Sequence, residues 1–418
     1  MSQAIEYQRL TDKPKPRHWL SLIQALAGFL ASSILILLGI LFFFYGLWNT
    51  LAQQFDPSNT LNYWLPASTM IALGILFLPS FTFGLAHYFG WNTPKLFSIS
   101  SPPPFILLLF FILVVALGNL LSQSTTLFVL FLPIFHILGI GLPIAFFLSL
   151  GLKNLPGQSL QRRWGAFNSG LGLAPLIIMF IEILALLGFL LLIALWISIH
   201  PNLVQEMSRL FLLLKDSMPS QENTLKVLQP YLSQTSVVVV IVFFAAVIIP
   251  MIEEAIKPLG VYLLLGKVRR ELDGFILGAL CGGGYALIES FLFTSNNNDW
   301  TQAILSRSTT AIVHIFTTAL MGSAIARAWD DRKFGRLFLA YLCSIFFHGT
   351  WNGFAMLYSI YTISDKTDGV WSHSFLSNVA NLSPLMIIFL FLYLTFAFWF
   401  FHITILKQSG KIRVLSNT

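Results

Sequence analysis

Charged residues are scarce in this sequence of 418 residues. Only 10% of the chain is Asp, Glu, Lys or Arg, whereas 56% is apolar and the mean hydropathy is +0.78. These values lie far outside the range of soluble domains. The composition therefore excludes a soluble protein and indicates a chain that crosses a membrane many times.

Cysteine is almost absent as well. The two cysteines, Cys281 and Cys343, both fall inside predicted helices. We therefore expect no structural disulfide, and two cysteines are too few for a Cys-rich metal site. The apolar run after Trp19 is too long for a cleaved secretory signal, so we expect it to remain as a membrane span.

The sequence is rich in long apolar runs. A helix needs roughly 20 apolar residues to cross the bilayer core, and about ten such runs are present. The sequence predicts an all-α polytopic membrane bundle with spans at 19–49, 62–89, 104–121, 126–150, 171–199, 235–265, 273–295, 303–328, 336–362 and 382–406.

The distribution of Lys and Arg predicts the orientation, because these residues accumulate in cytoplasmic loops. With both termini in the cytoplasm, eighteen of the 24 basic residues lie on the cytoplasmic side, and Arg307 is one of five on the other side. The same bias accounts for the net charge of +7. No nucleic-acid partner is needed to explain it, although contact with anionic lipid headgroups would be favourable.

The longest loop, 200–234, divides the chain into two unequal parts. Its apolar residues recur at helical spacing, which predicts short amphipathic helices on the outer membrane surface, or a lid over a substrate. Residues 1–199 form a five-helix region of unknown role with little charge inside the membrane. Residues 235–418 carry almost all the buried charge, and we expect the functional core there.

Five ionisable side chains fall at nearly one depth of this second part: Glu253, Glu254, Glu289, His314 and His348. A carboxylate at the bilayer centre costs about 3 kcal/mol on insertion scales, so it persists where it pairs, coordinates or reacts. Counted along the helices at 1.5 Å per residue, four of the five lie about 18–24 Å from the cytoplasmic ends. The sequence therefore predicts that four helices present polar groups to one layer.

The segment around Glu253 adds a cation and a helix break. Lys257 is four residues after Glu253 and three after Glu254, so it shares a helix face with them. It can neutralise one carboxylate and leave the other free for a proton or metal, or the ions can simply hold helices together. Pro250 and Pro258 predict a kinked helix that lines a cavity.

The neighbouring helices carry small residues and further polar groups. Gly278 and Gly282–Gly284 give the helix before Glu289 a bare face for close packing. His348 and Asn352 are four residues apart and share a face. They could present a ligand and an amide donor to the same volume, or form structural hydrogen bonds between helices.

These residues resemble the PrsW-type intramembrane proteases, which belong with the CAAX prenyl endopeptidases and related membrane proteases. The resemblance covers about 240–355. It is carried by Glu253-Glu254-x-x-Lys257, the Gly-rich helix that ends in Glu289, His314, and His348-x-x-x-Asn352. Ser290 stands where that family often has Asn, a departure that leaves the carboxylate in place.

The resemblance implies an intramembrane endopeptidase, of glutamic or zinc type. In the zinc route, His314, His348 and a carboxylate, Glu289 or Glu254, hold Zn²⁺ while Glu253 is the general base. In the metal-independent route, a glutamate activates water, and His348 and Asn352 stabilise the oxyanion. The sequence leaves both routes open, with Lys257 in a supporting role in either.

By the same resemblance, the substrate is a single-span membrane protein such as an anti-sigma factor, and the location is the bacterial plasma membrane. The alternative is an ion- or proton-coupled transporter. His136 and Glu182 lie at a similar depth, but we expect them to pair with each other as structure. A non-catalytic scaffold is the third interpretation, which the complete set of glutamates and histidines argues against.

Overall fold

The computed structural model describes residues 18–52, 57–91, 102–156, 158–217, 221–268, 270–292, 300–365 and 375–415. Within these ranges the chain consists of helices and short connections, without a strand. The predicted all-α class is therefore confirmed for the described part of the chain.

Twelve helices follow one another along the sequence. They are α1 Trp19–Ala52, α2 Pro57–Phe89, α3 Pro104–Leu121, α4 Thr125–Leu152, α5 Leu160–Ser198, α6 Pro201–Ser217, α7 Gln221–Leu232, α8 Thr235–Tyr262, α9 Glu271–Phe291, α10 Trp300–Asp331, α11 Phe334–Asp365 and α12 Phe375–Leu415.

Nine of the described helices are long and apolar enough to cross a membrane, namely α1–α5, α8–α10 and α12. The remaining predicted span, 336–362, corresponds to α11, a helix of 32 residues. Polar residues such as His348 and Asn352 interrupt its apolar sequence. The short helices α6 and α7 occupy the predicted loop 200–234.

Helix α9 is at the centre of the bundle. Apart from Glu271, Ile288 and Glu289, all of its residues are buried. It packs antiparallel on α10 and also contacts α4 and the first part of α5. Helices α1 and α2 form a separate hairpin that joins the bundle through α4 and α5.

Helix α5 begins eleven residues before the predicted start at 171. Its first turns contain Arg162 and Arg163, and hydropathy assigns such charged residues to a loop rather than to a membrane span. Ser159 caps the helix, because its hydroxyl accepts a hydrogen bond from the backbone N–H of Arg162. A π-helical turn at Ser169–Leu173 follows.

Helix α8 is interrupted twice, as the two prolines predict. A π-helical turn occupies Phe244–Ile248 before Pro250, and the helix breaks between Ile256 and Leu259, beside Pro258. Lys257 lies at this second break. Residues 1–17, on which the predicted cytoplasmic N-terminus depends, lie outside the described residues.

Candidate active site

Lys257 is at the centre of a buried cluster of polar side chains. Its ammonium Nζ lies 2.7 Å from Glu253 Oε2, 2.8 Å from Glu254 Oε1 and 2.9 Å from His314 Nδ1. We call the set Glu253, Glu254, Lys257, Glu289, His314 and His348 the Lys257 cluster.

The ammonium group has three N–H bonds and no acceptor, and two of these N–H bonds are directed at Glu254 and His314. The lysine itself is 0% exposed. The contact with Glu253 is short but poorly aligned, since Glu253 Oε2 makes no directed hydrogen bond. A cation buried in this way is stable only because anionic and neutral acceptors surround it.

These contacts determine which ring nitrogens carry protons. Because Lys257 donates to His314 Nδ1, the proton of the neutral His314 ring is on Nε2. His314 Nε2 faces Glu289 Oε2 at 2.5 Å. In His348, Nδ1 lies 2.8 Å from Glu254 Oε1. A carboxylate can only accept, so His348 Nδ1 carries a proton, and Nε2 of the neutral ring keeps its lone pair.

Each histidine therefore has its own carboxylate partner. Glu289 orients His314, and Glu254 orients His348. Glu289 also lies 2.9 Å from the guanidinium group of Arg307, which is two helical turns before His314 on α10. Arg307 Nε donates to Ser290 Oγ at 3.3 Å. Arg307, which charge counting placed outside the membrane, thus belongs to the site.

Tyr285 forms one wall of the cluster. Its ring lies 4.7 Å from Lys257 Nζ and 5.2 Å from the ring of His314. The first contact is a cation–π interaction. The His314 and His348 rings also meet edge to face, with centroids 5.1 Å apart. The rings of Tyr285, His314 and His348 thus all lie around the ammonium group.

A glycine contact fixes the distance between α9 and α10 at the level of the site. A Cβ atom added to Gly282 would collide with the backbone carbonyl oxygen of His314. Only a residue without a side chain lets the two backbones approach this closely. The predicted close packing of the Gly-rich helix therefore positions His314 directly.

Asn352 is held away from the ion-pair contacts. Its Nδ2 donates to the carbonyl oxygen of Ala245 at 3.2 Å, in the π-helical turn of α8. Gly349, one turn earlier on the same helix, packs against the carbonyl of Ala246. The polar face of α11 thus satisfies backbone acceptors of the interrupted helix.

Three side chains have atoms that could hold a metal ion. Donor atoms of Glu253, His314 and His348 all lie within 4.8 Å of one another, and a carboxylate with two imidazoles is a common Zn²⁺ ligand set. The carboxylates behind His314 and His348 supply the outer contacts that metal-binding histidines usually have. The ligand set therefore fits a divalent cation, with Glu253 in the place predicted for Glu289.

Lys257 competes with a metal ion for these ligand atoms. Its ammonium group contacts one atom of each of the three residues, with His348 Nδ1 at 3.3 Å. In particular, it uses the free lone pair of His314. A metal ion on that lone pair and the ammonium group therefore exclude each other.

Sequence reasoning missed Arg307, Tyr285 and Glu182. Arg307 was counted as a residue outside the membrane because it lies near a helix end. Tyr285 was not singled out because it stands in an apolar stretch of sequence. The predicted pairing of His136 with Glu182 is wrong. Both ring nitrogens of His136 are buried without a hydrogen-bond partner in the described structure, and Glu182 Oε1 has none either.

Comparison with known families gives one match. A family described as "PrsW family intramembrane metalloprotease" matches residues 164–393, which is more than half of the chain. The matched range contains every residue of the Lys257 cluster and most of α5. Searches of curated proteins and of solved structures found no match.

Proposed function

The chain belongs to the PrsW family of intramembrane metalloproteases, and from this premise we propose that it hydrolyses peptide bonds at the Lys257 cluster. The observation that carries the proposal is the meeting of three glutamates and two histidines around one buried lysine. Such groups are costly inside a membrane and are retained where they react, bind or pair.

Glu253 is the best candidate for the proton transfers. It is 7% exposed, whereas Glu254 is 0% exposed and is engaged by both His348 and Lys257. As a general base, the Glu253 carboxylate takes a proton from water while the water oxygen attacks the carbonyl carbon. It returns the proton to the amine nitrogen as the C–N bond breaks, which balances the reaction.

The cations and histidines support this chemistry by holding charge. Lys257 compensates the charge of the Glu253 carboxylate and holds it in place, and Glu289 is held between His314 and Arg307. Donors fixed before the reaction stabilise developing negative charge without reorganisation. His348, with its free Nε2 lone pair, is the ring that can accept a proton or bind a ligand.

A metal ion would bind to the same residues. Glu253, His314 and His348 would hold it, and when bound it would supply a Lewis acid and an activated water. In that form Lys257 has to release His314, and Glu253 has to be a ligand rather than the base.

For the substrate, we propose a single-span membrane protein, such as an anti-sigma factor. Peptide bonds inside a membrane helix are protected by the helix and by lipid, so hydrolysis needs a polar pocket that admits water. We propose that the residues from α5 and α8–α11 form this pocket. Both chain termini are proposed to be cytoplasmic, from the distribution of Lys and Arg.

The test is cleavage by the purified full chain in lipid vesicles with a candidate single-span protein, read by mass spectrometry. Wild type is compared with Glu253→Gln, Glu289→Gln, His314→Ala and His348→Ala. Glu206→Gln, an exposed carboxylate of α6, is the matched control. We expect all four variants to lose cleavage and the Glu206→Gln control to cleave like wild type.

Two outcomes decide between the routes. Inhibition by a chelator that Zn²⁺ reverses selects the metal route, and cleavage without metal selects the Glu253 route. If cleavage continues in all four variants, the Lys257 cluster is not the site of hydrolysis. Ion movement across the vesicles that these variants abolish, without cleavage, selects the transporter alternative.

A further inference from the structure

Helix α5 places a fourth glutamate beside the cluster. Ala174 and Ile178 are buried and pack with Tyr285 in one apolar group, together with Ile256 from α8. Glu182 follows Ile178 by four residues, so it lies on the same face of α5. This face therefore points toward the aromatic wall of the Lys257 cluster.

Glu182 is within electrostatic reach of several cluster members. Helix α5 runs antiparallel to α8, because Ile178 shares an apolar group with Ile256, and Phe189 lies against Phe244 with ring centroids 5.1 Å apart. Counted along the two helices, Glu182 therefore lies level with Glu253, where the charges of Glu253, Lys257 and Glu289 act on its carboxyl group. The Oε1 atom of Glu182 is buried and has no hydrogen-bond donor in the described structure. Glu182 thus has an unsatisfied oxygen beside the carboxylate that we place in the reaction.

The other carboxylates already have partners. Glu254 is hydrogen-bonded to His348 and Lys257, and Glu289 is in ion-pair contact with His314 and Arg307. Among the described residues, no cation lies within ion-pair distance of Glu182. Ionised carboxylates only accept hydrogen bonds, so two neighbouring carboxyl groups need either a proton that they share or a donor between them. Water is such a donor, and hydrolysis consumes it.

We propose that Glu182 is a positioning residue of the hydrolytic site, which acts by holding the Glu253 carboxyl and the water beside it. The proposal rests on the proposed function. It assigns α5 to the functional core, although the sequence pattern placed this helix in the N-terminal region of unknown role. The described contacts between α5, α8 and α9 support that assignment.

The first test is kinetic and uses the same vesicle assay. Glu182→Gln keeps the shape of the side chain but replaces the carboxylate by an amide, and Glu182→Leu removes every polar atom. Glu182→Asp keeps the carboxylate on a shorter side chain. We expect Gln and Leu to lower kcat about 10–100-fold, as is usual for partners behind a reacting group, with KM nearly unchanged. Asp should restore part of the loss, and Glu206→Gln should have no effect.

The second test needs no substrate. Thermal unfolding in detergent is measured for Glu182→Gln, Glu253→Gln and the double variant. Because we place the two carboxyls side by side, the Tm shift of the double variant should differ from the sum of the single shifts. Additive Tm shifts would show that the two residues act independently, which would contradict the proposed role of Glu182 beside Glu253.

The kinetic outcomes separate the two proposals. If the Glu253 and His314 variants lose activity but the Glu182 variants keep wild-type kcat, only the role of Glu182 is overturned. If all of these variants retain activity, the proposed function itself fails. A fall in kcat that Asp does not restore, with a matching fall in Tm, would reduce Glu182 to a structural residue.

Discussion

Lys257 Nζ lies 2.9 Å from His314 Nδ1 and occupies its lone pair. The opposite nitrogen of His314 faces Glu289. Both nitrogens of this histidine are therefore engaged, Nδ1 as a hydrogen-bond acceptor and Nε2 in close contact with a carboxylate. The lysine is consequently the residue through which the metal-bound and metal-free forms of the site can be distinguished.

Lys257→Met should bind Zn²⁺ more tightly than wild type. The substitution frees the His314 lone pair and removes the competing cation. Without metal it leaves Glu253 and Glu254 uncompensated, which should destabilise the fold by about 3–5 kcal/mol. Metal analysis of the purified protein and thermal unfolding with and without Zn²⁺ measure both effects.

The matched control for this change is Lys215→Met, an exposed lysine of α6. It should alter neither zinc content nor the effect of Zn²⁺ on Tm. A Lys257→Met protein that binds less zinc than wild type would contradict competition between the ammonium group and the metal.

Glu289→Gln should lower kcat about 10–100-fold. The amide loses the negative charge that Arg307 and His314 share, so the His314 ring is held less firmly, although Lys257 still keeps its proton on Nε2. Steady-state kinetics in vesicles measure the change, and an unaltered kcat would show that Glu289 does not orient His314. Comparison with Glu206→Gln corrects for general effects of removing a carboxylate.

Gly282→Ala should destabilise the protein by about 1–3 kcal/mol, because the added methyl group forces α9 away from the His314 carbonyl. Activity should fall as well, since His314 moves with α10. Gly188→Ala is the control, because nothing lies within 4 Å of a Cβ atom there. Thermal unfolding of both variants tests this, and equal Tm values would disprove the steric role of Gly282.

Asn352→Ala should cost about 1 kcal/mol of stability, the usual value for one hydrogen bond. Its amide is committed to the Ala245 carbonyl, so we expect kcat to change less than tenfold. An oxyanion donor would instead show a loss of about 10²–10³-fold in kcat. The kinetic measurement thus decides between a positioning role for Asn352 and direct transition-state stabilisation.

The fold and the membership of the cluster were largely predictable from sequence. Apolar length predicts the spans, and counting along helices predicts that Glu253, Glu289, His314 and His348 share one depth. Depth restricts these side chains to a layer about 6 Å thick. Since each of them is also costly in lipid, their meeting inside the bundle is the physically favourable arrangement.

The pairing within the layer was not predictable, because it depends on the rotation of each helix. Depth alone cannot distinguish Glu289 behind His314 from Glu289 as a ligand, or Glu182 beside Glu253 from Glu182 beside His136. Arg307 shows the same limit. Its distance from the helix end favours a loop position, whereas its side chain reaches back along α10 to Glu289.

The Gly282 contact has a consequence for how this protein can diversify. Gly274, Gly278 and Gly322 make the same kind of close approach, so backbone contacts set the separation of α9 and α10 along much of their length. Residues outside these contacts, on the lipid-facing helices and in the loops, are then free to change with the host membrane or the target while the reacting groups keep their spacing.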